Sequence, residues 1–180
     1  MKDKKDLLHA KANGRPLDFL FFWGHRASIG PITKSCLSQW YEAPFNVDEA
    51  VYATAEHFMM ARKAELFRDL AARDAIVAAL DPGKAKALGR RIEGFDENVW
   101  CDHRFSIVVE ANMHKFSQHP NLKQFLLHTS EKVLVEASPV DAVWGIGLAM
   151  DATGADDPAQ WPGMNLLGFA LMQVRENLRV

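Results

Sequence analysis

The sequence predicts an α+β fold, a single helix-rich domain with a few short strands. Three observations carry this expectation. Thr54, Asp81, Asp96 and Asn165 each stand immediately before a stretch whose apolar residues recur at helical spacing. Strand character is confined to three short segments, residues 17–23, 45–52 and 132–137. No internal repeat or linker interrupts the 180 residues, a length that buries a sizeable core in one domain without staples.

Residues 1–16 are charged and end in Asn13-Gly14-Arg15-Pro16, so a loosely ordered N-terminal tail is expected before a domain over residues 17–180. The aromatic run 17–23 has strand length and is closed by Gly24. Residues 24–38 carry Gly30-Pro31 and no periodicity, which reads as a loop. Phe45-Asn46-Val47 and Val51-Tyr52 flank Asp48-Glu49, the pattern of a short hairpin with Asp48 near its turn. Helices are expected from Thr54 to about residue 67, from 69 to 80, and from Asp81 to about residue 91, with Pro82 at the first helical position of the third. Asp96 opens a long helix that runs to the His119-Pro120 break, and residues 121–129 form a short one. The β-branched alternation of residues 132–137 predicts a strand. Residues 138–164 are rich in glycine and proline, and so long a loop inside a compact domain is usually functional. Asn165 caps the final amphipathic helix, with Leu166, Phe169, Ala170 and Val174 inward.

Composition narrows the function. Apolar residues make up 48% and charged residues 24%, an ordinary globular balance. No segment approaches the roughly 20 apolar residues of a membrane span. The basic N-terminus lacks an apolar core behind it, so no secretory signal is read. Cys36 and Cys101 stand far apart without metal-ligand spacing, which predicts a reduced, cytoplasmic protein. With 21 basic against 23 acidic side chains, broad nonspecific nucleic-acid binding is disfavoured, while a local basic patch stays compatible with phosphate recognition.

No zinc or iron pattern, Walker A loop, dinucleotide fingerprint or nucleophile elbow is present. The chemistry falls instead to polar residues at element ends. Glu56 lies in the first turn of its helix, where free N–H groups and the helix dipole would stabilise its anion. A fixed anion at a pocket suits a reaction that passes through a sugar cation. Gly89 and Arg90 lie at a helix stop, Asp141, Trp144 and Gly145 in the long loop, and Asn165 at the start of the last helix. Each also has a purely structural role open to it, as surface charge, turn former or cap.

Eight runs, taken in order, resemble the NADAR family, whose members are also called YbiA-like. They are Phe21-Phe22-Trp23-Gly24-His25, Ser38-Gln39-Trp40-Tyr41, Tyr52-x-Thr54-Ala55-Glu56-His57-Phe58 with its continuation to Ala64, and Ala85-Lys86-x-Leu88-Gly89-Arg90. Phe95-Asp96-x-x-x-Trp100, Lys115-Phe116-Ser117-Gln118, the stretch from Leu134 through Asp141 and Trp144-Gly145 to Gly147, and Trp161-x-Gly163-x-Asn165-Leu166-Leu167-Gly168 complete the set. The resemblance spans roughly residues 19–179.

It implies a YbiA-like fold and hydrolysis of an N-glycosidic bond. The substrate would be ADP-ribose linked to guanine, free or in nucleic acid, or a phosphoribosyl-aminopyrimidine of riboflavin synthesis. A domain that holds ADP-ribose or another nucleotide without cleaving it is the non-enzymatic alternative. Carried over by motif, Glu56 is the catalytic carboxylate and Asp141 the second one. Lys63, Gly89, Arg90, Trp100, Trp144, Gly145 and Asn165 line the pocket, with Arg90 or Lys63 on phosphate and Trp100 or Trp144 stacked on base or ribose. No cofactor, metal or membrane partner is implied.

Overall fold

The computed structural model describes residues 3–27 and 29–179. Met1 and Lys2 of the expected tail, Ser28 of the expected loop and the terminal Val180 lie outside them. Among the described residues the elements are α1 (Lys4–Ala12), β1 (Phe19–Phe22), a 3₁₀ turn (Lys34–Leu37), β2 (Phe45–Val47), β3 (Ala50–Tyr52), α2 (Ala55–Leu66), α3 (Leu70–Val77), α4 (Pro82–Gly89), α5 (Glu97–Gln118), α6 (Pro120–His128), β4 (Val133–Glu136), a second 3₁₀ turn (Pro158–Gln160) and α7 (Leu166–Leu178). The α+β expectation holds.

Local chemistry places most of these boundaries. Side-chain oxygens of Thr54, Asp69, Asp81 and Asp96 accept backbone N–H groups at the starts of α2, α3, α4 and α5. Asp48, at φ 51°, makes the left-handed turn of the β2–β3 hairpin, a conformation that Asp tolerates. Tyr52 packs edge-on against Phe58 at 5.0 Å, and Phe45 lies 5.9 Å from the same ring, so the hairpin is fastened to α2. Phe58 is fully buried, a burial that contributes roughly 1.5–3 kcal/mol.

The framework is the parallel pairing of β1 with β4, Phe19 opposite Val133 and Phe22 opposite Glu136. Parallel neighbours require a crossover, and here the crossover is most of the molecule: hairpin, α2 to α6 and their loops. α2 packs on α3, α4 and α5, while α7 covers β4 and α5. The chain therefore arrives at the carboxyl ends of β1 and β4 from several directions, and leaves a hollow there.

Two sequence expectations change. The segment expected as a loosely ordered tail forms α1, capped by Asp3. Leu7 is completely buried, Lys4 Nζ donates to the Trp161 carbonyl at 2.5 Å, and Lys11 pairs with Asp157 at 2.8 Å. One apolar side chain and two long-range contacts hold a helix whose own sequence is too polar to announce itself. Asn165 precedes α7 but its side chain caps nothing; its φ is 55° and its amide is used elsewhere. Leu7→Ala should lower stability by about 2–5 kcal/mol in urea unfolding. An unchanged midpoint would mean that α1 is not docked.

Candidate active site

A cavity of about 600 Å³ lies beyond the carboxyl ends of the parallel strands. β1 leads into Trp23, Gly24 and His25, β4 ends on Glu136 and leads into Ser138, Val140 and Asp141, and Ser38 and Trp40 come from the segment before the hairpin. Lys86 and Arg90, four residues apart and so on one face of α4, supply the positive charge. A neighbouring chamber of about 530 Å³ shares His25 and Trp40 with it and is bounded by Arg26, Glu42, Thr54, His57, Leu80 and Asp81. The His25 and Trp40 rings, 5.5 Å apart, form the wall between them. A third hollow of about 610 Å³ opens beside the hairpin. Its arginines are committed to ion pairs, Arg62 with Glu65 at 2.8 Å and Arg73 with Asp74 at 2.7 Å, so it offers a ligand no uncommitted arginine.

Glu56 is 2% exposed and sits behind the first cavity, its Oε1 without a hydrogen-bond partner. The expectation that helix N–H groups stabilise its anion is reversed. The Glu56 N–H donates to Gln39 O at 3.0 Å and the His57 N–H to Thr54 Oγ1. Burial therefore dominates and pushes the carboxyl up to about 7. Lys86, the Trp40 side chain and Arg90 oppose that rise, while Asp141 adds to it. All four of these neighbours line the cavity.

Glu136 was not singled out by its sequence, yet it lines the cavity. Its Oε2 is buried without a partner, and burial, then Asp141 and Glu56, push the carboxyl up to about 8 against Lys86. Its backbone explains Asn165. The Asn165 amide accepts the Glu136 N–H at 3.0 Å and donates to Leu134 O at 2.9 Å, so it pairs with the open edge of β4 as a further strand would. Fully buried, with its amide committed to β4, Asn165 supports the site from beneath and does not line it.

The other expected site residues divide in the same way. Asp141 lines the cavity, and its Oδ1 also accepts the N–H groups of Val143 and Trp144 at 2.9 and 2.8 Å, which shapes the loop. Gly145 passes against β4; a Cβ there would stand 2.8 Å from Glu136 O. Trp144 is half-buried against the core and outside the cavity. Lys63, Gly89 and Trp100 form a separate box: Lys63 Nζ donates to Gly89 O at 3.0 Å and lies 4.1 Å over Phe95 and 5.5 Å from Trp100. Burial lowers the Lys63 pKa. Gly89 is small because a Cβ would overlap Met60 Sδ. The box anchors the end of α4 from which Arg90 reaches the cavity, and the aromatic walls of the cavity are Trp23 and Trp40.

A second support comes from α5. The Lys115 ammonium is completely buried and donates to Cys36 O at 2.7 Å and Ser38 O at 2.8 Å. Burial brings it down to about 7, partly countered by the Cys36 thiol. One turn earlier, Asn112 Nδ2 donates to Gln39 Oε1 at 2.7 Å. Together they fix the segment that carries Ser38 and Trp40. The signal available in the sequence was a pair of polar residues at i, i+3 within the apolar face of a helix. Among the described residues no group of three or more His, Cys, Asp or Glu side chains is spaced to hold a metal ion.

The sequence model of the NADAR domain matches residues 21–179. The chain belongs to the NADAR family. It is 42% identical over 163 residues to N-glycosidase R617 of Acanthamoeba polyphaga mimivirus, covering 88% of this chain and 95% of that one. It is 36% identical over 140 residues to the chloroplastic riboflavin biosynthesis protein PYRR of Zea mays, covering 74% of this chain and 21% of that protein. The NMR structure of the E. coli protein YbiA superposes with a TM-score of 0.70 at 27% identity, over 90% of this chain and 85% of that one. The YbiA-like fold expectation is met.

The two raised carboxyls have a thermodynamic signature. Stability from a carboxyl whose folded pKa exceeds the ordinary 4.5 is complete below that value and is lost as pH rises through about 7 and about 8. Glu136→Gln removes one of these acids. Its melting temperature relative to wild type should climb between about pH 5 and about pH 9, as thermal scans would show. A difference independent of pH would contradict a buried acid at this position.

Proposed function

We propose that this protein removes ADP-ribose from modified guanine by hydrolysing the ribosyl C–N bond. Several of its relatives are named N-glycosidases, and the chain is an enzyme of that class, a hydrolase of N-glycosyl bonds. The observation that carries the finer reading is the buried Glu56 carboxyl beside Trp40, Lys86, Arg90 and Asp141, behind a cavity of about 600 Å³.

Breaking a ribosyl C–N bond develops positive charge on the sugar, and a carboxylate held out of water stabilises that charge strongly. A carboxyl that titrates near 7 also suits proton removal from the attacking water, because a base is most effective near its own pKa. Asp141 brings a second carboxylate to the cavity. Lys86 and Arg90 present side by side the charge that a pyrophosphate takes through charge-assisted hydrogen bonds. Trp23, 60% exposed at the rim, offers a face for a base. The chamber beyond Trp40 gives room for a second nucleoside, which favours an ADP-ribosyl substrate over a single phosphoribosyl unit.

A phosphoribosyl-aminopyrimidine substrate is the second reading, favoured by the similarity to the riboflavin biosynthesis protein. Incubation with an oligonucleotide carrying ADP-ribosylated guanine, followed by mass spectrometry, separates the two. Wild type should release free ADP-ribose, and Glu56→Gln should be slower by at least about 10²-fold while staying folded. Near-normal turnover in Glu56→Gln would remove Glu56 from the chemistry. Release of the base from the phosphoribosyl-aminopyrimidine alone would transfer the function to that class. Calorimetric binding of ADP-ribose with no cleavage of either substrate would make the domain a binding module.

A further inference from the structure

We propose that Glu136 is the general acid of this reaction, the group that hands a proton to the departing base nitrogen. The inference rests on the N-glycosidase reading and adds to it a catalytic residue distinct from Glu56 and Asp141.

Position comes first. Glu136 is the last residue of β4, at the carboxyl end of the parallel pair, where its side chain enters the cavity. Its backbone is held on every side. It stands opposite Phe22, its N–H is bound by Asn165 Oδ1 at 3.0 Å, and its carbonyl accepts the Ile146 N–H at 2.9 Å. Its Oε2 is buried and has no hydrogen-bond partner in the protein. Asp141 differs, since its Oδ1 already serves two backbone N–H groups. Glu136 is thus a fixed carboxyl with an oxygen left for a ligand.

The surroundings select the protonated form. Glu136 faces Glu56 on α2 and Asp141 in the loop, with Lys86 on α4 as the cation acting on it. Arg90 and His25 line the same cavity. Burial first, and then two further carboxyl groups against one ammonium, favour the neutral acid. The two glutamates titrate as a pair, at about 7 and about 8, with the higher value at Glu136. Near neutrality the pair therefore holds about one proton, and the place of Glu136 at the cavity, with Oε2 unpartnered, assigns that proton to it, the division of labour that separates an acid from a base.

The step balances. The C1′–N bond breaks and its electron pair goes to the nitrogen, which takes the proton from the Glu136 carboxyl. Water bonds through oxygen to C1′, and its proton passes to Glu56. The products are the base with a new N–H and the sugar with a C1′ hydroxyl. Solvent carries the proton from Glu56 back to Glu136 and closes the cycle.

The test compares two leaving groups on the same ADP-ribosyl unit: guanine, which must be protonated to depart, and 4-nitrophenolate, which departs as the anion. Glu136→Gln should lose about 10²–10⁴-fold on the guanine substrate and less than about 10-fold on the nitrophenyl glycoside. The alkaline limb of the pH–rate profile on guanine should disappear with it. Glu56→Gln should lose activity on both. Equal losses of Glu136→Gln on the two substrates, or an intact alkaline limb, would overturn the assignment. Cleavage of neither substrate by wild type would overturn the ADP-ribosyl-guanine reading itself, and the acid role on that substrate with it. Infrared titration of the wild type keeps the claim testable if Glu136→Gln fails to fold. A protonated carboxyl band should persist at pH 7 in the wild type and also in Glu56→Gln, and its absence from either would overturn the proposal.

Discussion

β4 has two edges to satisfy at its carboxyl end, and the molecule is arranged around doing so. β1 occupies one edge through the parallel register that sets Phe22 opposite Glu136. Among the described residues no further strand pairs with the other. The Asn165 amide takes that place, binding Leu134 O and the Glu136 N–H as a strand would. A buried backbone group left without a partner costs about 1–3 kcal/mol, so this one side chain removes two such costs. It also sets where α7 begins and where the 138–164 loop must return, since the Asn165 N–H is bound to Gly145 O. Glu136, Asp141 and the cavity floor take their positions from this closure.

The remaining walls are brought in by helices that seldom touch the cavity themselves. Lys63 binds the last carbonyl of α4, and Arg90 follows directly. Lys115 and Asn112 reach from α5 to the 36–39 segment, and Trp40 follows that segment. Buried polar side chains bonded to backbone carbonyls therefore hold the groups that face the cavity. A buried ammonium without a carboxylate partner is costly; Lys115 meets part of that cost with two carbonyl bonds and the nearby rings of Tyr41 and Phe116. Three carboxyls, Glu56, Glu136 and Asp141, then gather against Lys86 and Arg90. Burial there raises the carboxyls in place of the anion stabilisation expected at a helix start.

Much of the fold was legible because capping and turn chemistry are local. Thr54, Asp81 and Asp96 act on the residues next to them, and each starts a helix where its sequence says. Glu56, Arg90 and Asp141 were legible as polar residues at element ends with matching motifs, and the structure brings them together at one cavity. Long-range roles were not legible. Asn165 looks like a cap because the partner of its side chain lies about thirty residues earlier, on β4. Glu136 looks like one more polar residue in an alternating strand, and Lys115 like a surface charge on a long helix. Trp100 and Trp144 carry motifs as strong as those of Trp23 and Trp40; only the tertiary fold separates core from cavity.

Those tryptophans give the most direct test of where the site lies. Each indole N–H can be assigned in a proton–nitrogen NMR spectrum by a single Trp→Phe substitution and then followed as free ADP-ribose, the expected product, is added. Trp23 and Trp40 should shift in step and saturate together, while Trp100, Trp144 and Trp161 stay in place. Shifts at Trp100 or Trp144 with Trp23 and Trp40 unmoved would contradict this account of the active site.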